Sequence, residues 1–339
     1  MIKVGVVGIS GYSGGLTFEL LLNHPNIRVT YVSANNTKGK VSDIWPHLNN
    51  RTDLICDEFK LDKALGLCDL LFLAVPHSAS MRMMPELIKA KKKIIDLSAD
   101  YRLEEPGDYR KWYGVEHSDS KNLKKAVYGL PELYRENIKK AMVVANPGCY
   151  PTAAILALAP LVIAKTKSIQ SIIIDAKSGV TGAGRKVNAS MMFSEVHENF
   201  KAYKVLKHQH TPEIDQILSR LAKTPIKVTF VAHLLPINRG IFETIYVQLD
   251  DRMTEDKIAQ LYRQFYKTEP FVRILDSGSQ PEIKGVVGTN YCDIGLTLSE
   301  DKRTLVIAST IDNLMKGAAG QAVQNMNLMC SFKEDEALG

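Results

Sequence analysis

Cysteine is scarce and shows no pairing pattern: the five residues Cys56, Cys68, Cys149, Cys292 and Cys330 stand far apart, with no Cys-x-x-Cys among them. An odd count at such spacing excludes a disulfide framework and offers no zinc-ligand set, so free thiols in a reducing compartment and no metal are expected. Long apolar runs are also missing. The longest, Ala153 to Ala164, contains Pro160 and falls short of the roughly 18–20 residues that cross a bilayer, so no membrane span is expected. The opening MIKVGVVGISGYSG has none of the zones of a secretory signal, which leaves the cytoplasm as the expected location. No basic patch alternates with aromatics. The formal charge of +6 is dispersed in short runs such as Lys91-Lys92-Lys93, and an acidic stretch, Lys333-Glu334-Asp335-Glu336, lies near the end. That distribution speaks against a nucleic-acid partner and for a modest attraction to small anions.

What is present is a globular pattern. The 339 residues, 45% of them hydrophobic, provide for about two domains. Ile2 to Val7 reads as a strand that ends in glycines, and Leu16 to Leu22 as a helix. Strand-like runs at Arg28–Ser33, Leu70–Val75, Lys93–Leu97 and Met142–Ala145, with a helix at Met81–Ala90, predict an α/β N-terminal Rossmann domain with a parallel sheet. After Cys149 the pattern becomes a mixed-sheet α/β domain. Its expected helices are Thr152–Ala164, Pro212–Ala222 and Thr254–Tyr266. Its expected strands are Ser171–Ala176, Ile226–His233, Phe242–Leu249, Cys292–Leu298 and Thr304–Thr310. A last helix, Asn313–Met329, is expected to return to the first domain. The predicted division is therefore 1–148, completed by 313–330, and a catalytic and oligomerisation domain over 149–312.

Gly8-Ile-Ser10-Gly11-Tyr12-Ser13-Gly14 follows a strand and opens a helix, the setting in which glycines let backbone approach a pyrophosphate at a helix N-terminus. The spacing is Gly-x-x-Gly-x-x-Gly rather than Gly-x-Gly-x-x-Gly. An NAD site usually places an acid about 20 residues on, at the end of the second strand. No acidic residue occurs between Glu19 and Asp43. Instead Ser33-Ala-Asn-Asn-Thr-Lys38-Gly-Lys40 offers hydroxyls, amides and lysines suited to a 2′-phosphate, which predicts NADP.

Cys149 lies where a strand gives way to a helix, between Pro147-Gly148 and Pro151. A helix N-terminus favours thiolate, the nucleophilic form, whereas the other four cysteines read as packing residues. A nucleophilic thiol needs a proton partner. Among eight histidines, His208 and His210 stand out because, with Glu213, they flank a helix start; either imidazole is a candidate, and Glu213 could orient one or bind substrate. Capped-helix and surface readings of the same residues remain open. For an anionic substrate, Ser98 and Arg102 in Asp96-Leu-Ser-Ala-Asp-Tyr-Arg, and Arg185 after Gly182-Ala-Gly, offer donors. Both segments also read as surface turns.

The stretches GISGYSGG (8–15), AVPHSAS (74–80), DLSADYRL (96–103), YGLPEL (128–133), NPGCYPT (146–152), SGVTGAGRK (178–186), KHQHTPEI (207–214), HLLPINRGI (233–241) and DNLMKGAAGQAVQNMN (312–327) resemble the N-acetyl-γ-glutamyl-phosphate reductase family of the semialdehyde dehydrogenase superfamily. They span nearly the whole chain. The resemblance implies an NADPH-dependent acyl-phosphate reductase assembled as a homodimer or homotetramer. It implies Cys149 as acyl carrier and His208 or His210 as acid/base, with His210 favoured. It further implies Pro76, Ser178, Gly179 and Asn313 toward the cofactor, and Asn146 toward the substrate. The family often has Arg between the histidines; this chain has Gln209. Aspartate-semialdehyde dehydrogenase, the carrier-protein-dependent reductase of lysine biosynthesis and an NADP-sensing regulator are the rival readings. PGCYPT argues against the first and the intact cysteine and histidines against the last.

Overall fold

Alternating strands and helices build the first of two units into which the chain divides: Met1–Pro147 with Ala318–Gly339, and Gly148–Gly317. The computed structural model describes residues 1–35 and 37–339. In chain order the first unit's strands are β1 (Ile2–Val7), β2 (Ile27–Ser33), β3 (Gly39–Lys40), β4 (Ile55–Cys56), β5 (Leu70–Leu73), β6 (Lys93–Asp96), β7 (Ala126–Tyr128) and β8 (Val143–Ala145). β3 and β4 form a small antiparallel ribbon, and the other six make one sheet in the order β2-β1-β5-β6-β8-β7. All of that sheet's pairings are parallel. β5 is buried along its full length, as strands covered on both faces are. The strand order reverses between β1 and β5, and the carboxyl end of β1 at such a switch point is where open α/β sheets bind ligands.

The first helix begins at Tyr12, earlier than the expected Leu16, because the glycine turn leads straight into it. The last helix is shorter than expected. Met315–Ala319 forms a π-helical turn, and the α-helix covers only Gly320–Met329. The Asp312 carboxylate accepts the N–H groups of Leu314 and Met315 and so holds the segment before that turn in a capped bend. The helix packs on Tyr12–Leu22 and Pro131–Lys140 of its own unit. Arg135 pairs with Glu334 at 3.0 Å, and His24 meets Asn327 at 3.0 Å, which ties the tail down.

The second unit contains β9 (Ile169–Ser178), β10 (Lys201–Tyr203), β11 (Thr229–Leu234), β12 (Ile241–Leu249), β13 (Val272–Ile274), β14 (Cys292–Leu298) and β15 (Thr304–Ile311). Its mixed sheet runs β10-β11-β9-β12-β15-β14-β13. One face, with Ile174, Ile245 and Ile307, is buried. The other alternates to half-exposed positions and to exposed Ile173 and Tyr246.

Helix Cys149–Lys165 packs against β9, β12, β14 and β15 and is buried at every position from Tyr150 to Val162. A helix apolar all round belongs in a core, and each buried Leu or Ile contributes roughly 1.5–3 kcal/mol. The expected helix from Thr152 is thus corrected: it starts at Cys149 and, with the turn after it, Cys149–Ser168 reaches the length and hydropathy of a membrane span. Its residues are 72% buried within the protein, which makes it the core helix of this unit.

Candidate active site

The cofactor-facing expectations fall partly on the β1 turn. Gly8 has φ +97°, and a Cβ there would lie 2.1 Å from the Ala74 carbonyl oxygen; a Cβ on Gly14 would lie 2.2 Å from the Gly8 carbonyl oxygen. Both positions therefore require glycine, and the turn packs backbone on backbone at the start of helix Tyr12–Leu22. The Ser33 carbonyl accepts the N–H groups of Gly8 (2.7 Å) and Ile9 (3.1 Å), which locks the turn to the end of β2. Helix N-termini present N–H groups without intrahelical acceptors, here from the Tyr12-Ser13-Gly14 turn. This cradle fits a dinucleotide pyrophosphate.

Beyond β2, Asn36 lies outside the described residues. Lys38 is exposed, and its ammonium sits 3.0 Å from Glu58 and 3.7 Å from Asp57. Those acids escaped the sequence reading because they are far along the chain; a bridge from Ser33 to Asp57 and the Ala34 N–H to Asp57 carbonyl bond (3.0 Å) bring them to the end of β2. Pro76 is exposed just after β5.

Ser98, Arg102 and Asn146 are engaged inside the first unit. Ser98 Oγ lies 2.9 Å from Asp96 Oδ2 and 2.9 Å from Ser80 Oγ. The Arg102 guanidinium donates to the carbonyls of Asn146 and Leu97, both at 2.8 Å. The Asn146 side chain donates to the Ala318 carbonyl (3.1 Å) and accepts from Asn325 (3.0 Å). The surface-turn reading of the Asp96–Arg102 segment is corrected, since Asp96, Ser98, Asp100 and Arg102 are all buried.

In the second unit, Cys149 is half-buried at the first position of its helix, after the extended Gly148. The Gly148 N–H donates to Glu213 Oε1 at 2.9 Å, and the Gly148 carbonyl accepts both the N–H and the hydroxyl of Thr152 at 3.0 Å. Glu213 is buried in the first turn of helix Thr211–Ala222, whose N-cap residue is His210. Two helix N-termini are thereby joined through one carboxylate. The His210 N–H donates to His208 Nδ1 at 3.2 Å, and the two rings lie 4.9 Å apart.

The histidines differ in environment. His208 is buried edge-on against Tyr150 and Tyr203 and tilted against Phe230. Burial, and then the nearby Lys204 ammonium, push its proton affinity down to about 4, so it is neutral at physiological pH. Tyr150 and Tyr203 share a hydroxyl contact of 3.0 Å. Burial raises both phenols, Tyr203 to about 12, and the charge of Cys149 adds to each. A Cβ on Gly317 would meet the Cys149 Cβ at 2.8 Å, so glycine is required behind the thiol. The sequence reading missed Tyr150, Tyr203 and Gly317 as neighbours of Cys149; only the 312–327 motif signalled the last.

Ser178, Gly179 and Asn313 meet in one loop cluster of this unit. Asn313 accepts the Gly240 N–H (2.8 Å) and donates to Thr181 (3.0 Å), while the Gly179 N–H donates to the Gly240 carbonyl (2.9 Å). Arg185 is exposed beyond that loop.

Residues 3–141 match the family model "Semialdehyde dehydrogenase, NAD binding domain", and residues 149–313 match "Semialdehyde dehydrogenase, dimerisation domain". An N-acetyl-γ-glutamyl-phosphate reductase of Desulfotalea psychrophila is 50% identical, with 100% of this chain and 98% of that protein covered. The protein of that name from Campylobacter jejuni subsp. doylei is 46% identical over 99% and 98%. Among solved structures, the aspartate semialdehyde dehydrogenase of Candida albicans with NADP superposes with a TM-score of 0.73 at 15% identity, over 97% of this chain and 98% of that one; this likeness shows the shared fold. The chain belongs to the semialdehyde dehydrogenase family, in the N-acetyl-γ-glutamyl-phosphate reductase group that it matches along nearly its whole length.

Proposed function

We propose that the protein reduces N-acetyl-γ-glutamyl phosphate to N-acetylglutamate 5-semialdehyde with release of phosphate, a step of arginine biosynthesis, through a thioester on Cys149. The observation that carries this reading is a half-exposed thiol at the N-terminus of a long buried helix, with its preceding amide held by Glu213 from the helix that begins at His210. The helix N-terminus favours the thiolate. Attack on the acyl carbon forms the C–S bond and breaks the C–O bond to phosphate. The N–H groups of the first turn of helix Cys149–Lys165 are the donors for the oxyanion. NADPH, when bound, supplies the hydride that reduces the acyl carbon.

Proton transfer is assigned to His210. His208 is held neutral among aromatic rings and accepts the His210 backbone N–H, which makes it the positioning partner. Glu213 fixes the turn that carries Cys149. The β1 glycine turn binds the pyrophosphate, with Ser10, Tyr12 and Ser13 around it, and Ser33 and Lys38 serve the 2′-phosphoribose of NADP. Ser178, Gly179 and Asn313 serve the cofactor; Ser98, Arg102, Asn146 and Arg185 serve substrate recognition.

The assembly is an oligomer, which we assign to a homodimer through the open face of the second sheet, where Ile173 and Tyr246 are exposed. Covering such a face with a second copy removes apolar surface from water. The reading places the protein in the cytoplasm, with no membrane or nucleic-acid partner. Purified protein with NADP, phosphate and N-acetylglutamate 5-semialdehyde tests the function at the nicotinamide absorbance. Phosphate-dependent NADPH formation is expected, and its absence, or equal use of aspartate semialdehyde, contradicts the proposal.

A further inference from the structure

Lys204 follows Tyr203 directly, and its ammonium donates to Gln209 Oε1 at 2.6 Å. Gln209 is the residue between His208 and His210, so this bond anchors the cation to the histidine pair. The segment is built to hold it there. Lys204 has φ +46°, a left-handed conformation unusual for a side chain with a Cβ, and its carbonyl accepts the Lys207 N–H at 2.8 Å to close the turn. Lys38 and Lys177 both face carboxylates within ion-pair distance. Lys204 has no carboxylate partner among the described residues. Partial desolvation lowers its proton affinity, and its charge reaches His208 strongly enough to lower that ring's proton affinity too. An exposed cation beside the histidine pair, without a carboxylate counter-ion, is stabilised by an incoming anion.

We propose that Lys204 is a phosphate-binding residue of the reaction: its ammonium, anchored by Gln209 beside the histidines, receives the phosphate that leaves when Cys149 is acylated. The assignment rests on the function proposed above. In the reverse direction a phosphate oxygen attacks the thioester carbon, the C–S bond breaks, and the Cys149 thiolate is regenerated. Lys204 holds the attacking phosphate. Gln209 is the positioning residue, because it touches Lys204 rather than substrate.

The test uses the reverse reaction with NADP, inorganic phosphate and N-acetylglutamate 5-semialdehyde. Losing a charge-assisted hydrogen bond predicts that Lys204→Met raises KM for phosphate about 10-fold or more, while KM for the semialdehyde and for NADP stay at wild-type values. The burst of NADPH formed without phosphate, which reports thioester formation, keeps its amplitude. Lys204→Arg restores most of the phosphate affinity, and Gln209→Leu gives an intermediate rise. A phosphate KM unchanged in Lys204→Met overturns the assignment, as does a rise confined to the semialdehyde KM, which would place the substrate carboxylate at Lys204. The burst amplitude counts folded sites in every variant, and Lys204→Gln replaces the Met variant if that one lacks a burst. A wild-type protein with no burst contradicts the proposed function itself and is thereby distinguished from a failure of Lys204.

Discussion

Asp96 is fully buried at the end of β6, and its carboxyl is raised from 3.8 to about 6 by burial and by the charge of Asp100. Geometry gives the same direction. Ser80 Oγ lies 2.9 Å from Asp96 Oδ2, 2.9 Å from Ser98 Oγ and 3.0 Å from Asp100 Oδ2, and Ser98 Oγ lies 2.9 Å from Asp96 Oδ2. Two hydroxyl hydrogens serve four contacts, and a proton on Asp96 supplies a third. A folded-state value above the unfolded one means that the stabilisation is fully present below about pH 4 and is lost as pH rises through about 6. About two units at roughly 1.4 kcal/mol each amount to about 3 kcal/mol. Asn at this position mimics the protonated acid: its carbonyl accepts the Ser98 N–H that Asp96 Oδ1 accepts at 3.0 Å, and its amide donates to the two serines. Asp96→Asn is therefore expected to match the wild type near pH 4 and to exceed it by up to about 3 kcal/mol near pH 8. Urea unfolding followed by tryptophan fluorescence reads this directly, because Trp45 and Trp112, the two tryptophans of the chain, both lie in the first unit. A stability gap between the proteins that does not change between the two pH values contradicts a raised Asp96 carboxyl in the folded protein.

Gly8→Ala forces a Cβ against the Ala74 carbonyl at a φ of +97°; a loss of NADPH affinity of at least ~10-fold by fluorescence titration is expected, and wild-type affinity contradicts the cradle. Glu213→Gln keeps the shape but gives up the charge that holds the Gly148 N–H. A fall in kcat of about 10-fold, with KM for NADP unchanged, is the outcome expected from weakening a bond to a charged group. His210→Asn removes the acidic limb of the pH–rate profile together with most of kcat, whereas His208→Phe, which suits the ring cage, keeps the shape of the profile. The reverse pattern moves the proton-transfer role to His208.

The periodic elements were legible because burial imposes a period: β1 and β14 match their expected bounds, and the central strands of both sheets fall within three residues of theirs. The edge strands β7, β10 and β13 were not, since three partly exposed residues show neither a period nor an apolar run of the kind that marks the equally short but buried β8. The start of the Cys149 helix was blurred by Pro151, which is tolerated in a first turn, and the π-helical turn at Met315–Ala319 has no marker in an Ala- and Gly-rich stretch. At the site, Cys149, the histidines and Glu213 were visible through their turn context. What Glu213 holds was not, because its partner lies 65 positions away and is a backbone amide. Asp57, Glu58 and Tyr203 escaped notice for the same reason: their meaning comes from tertiary neighbours rather than from spacing.

The claim on which the rest depends is covalent catalysis by Cys149. Mixing the protein with NADP and N-acetylglutamate 5-semialdehyde in the absence of phosphate, followed by acid quench and peptide mass spectrometry, tests it most directly. Covalent catalysis predicts an N-acetylglutamyl adduct on the peptide carrying Cys149 and none in Cys149→Ser, whose phosphate-dependent turnover falls by about 1,000-fold or more. An adduct on another residue, or near wild-type turnover by Cys149→Ser, contradicts it.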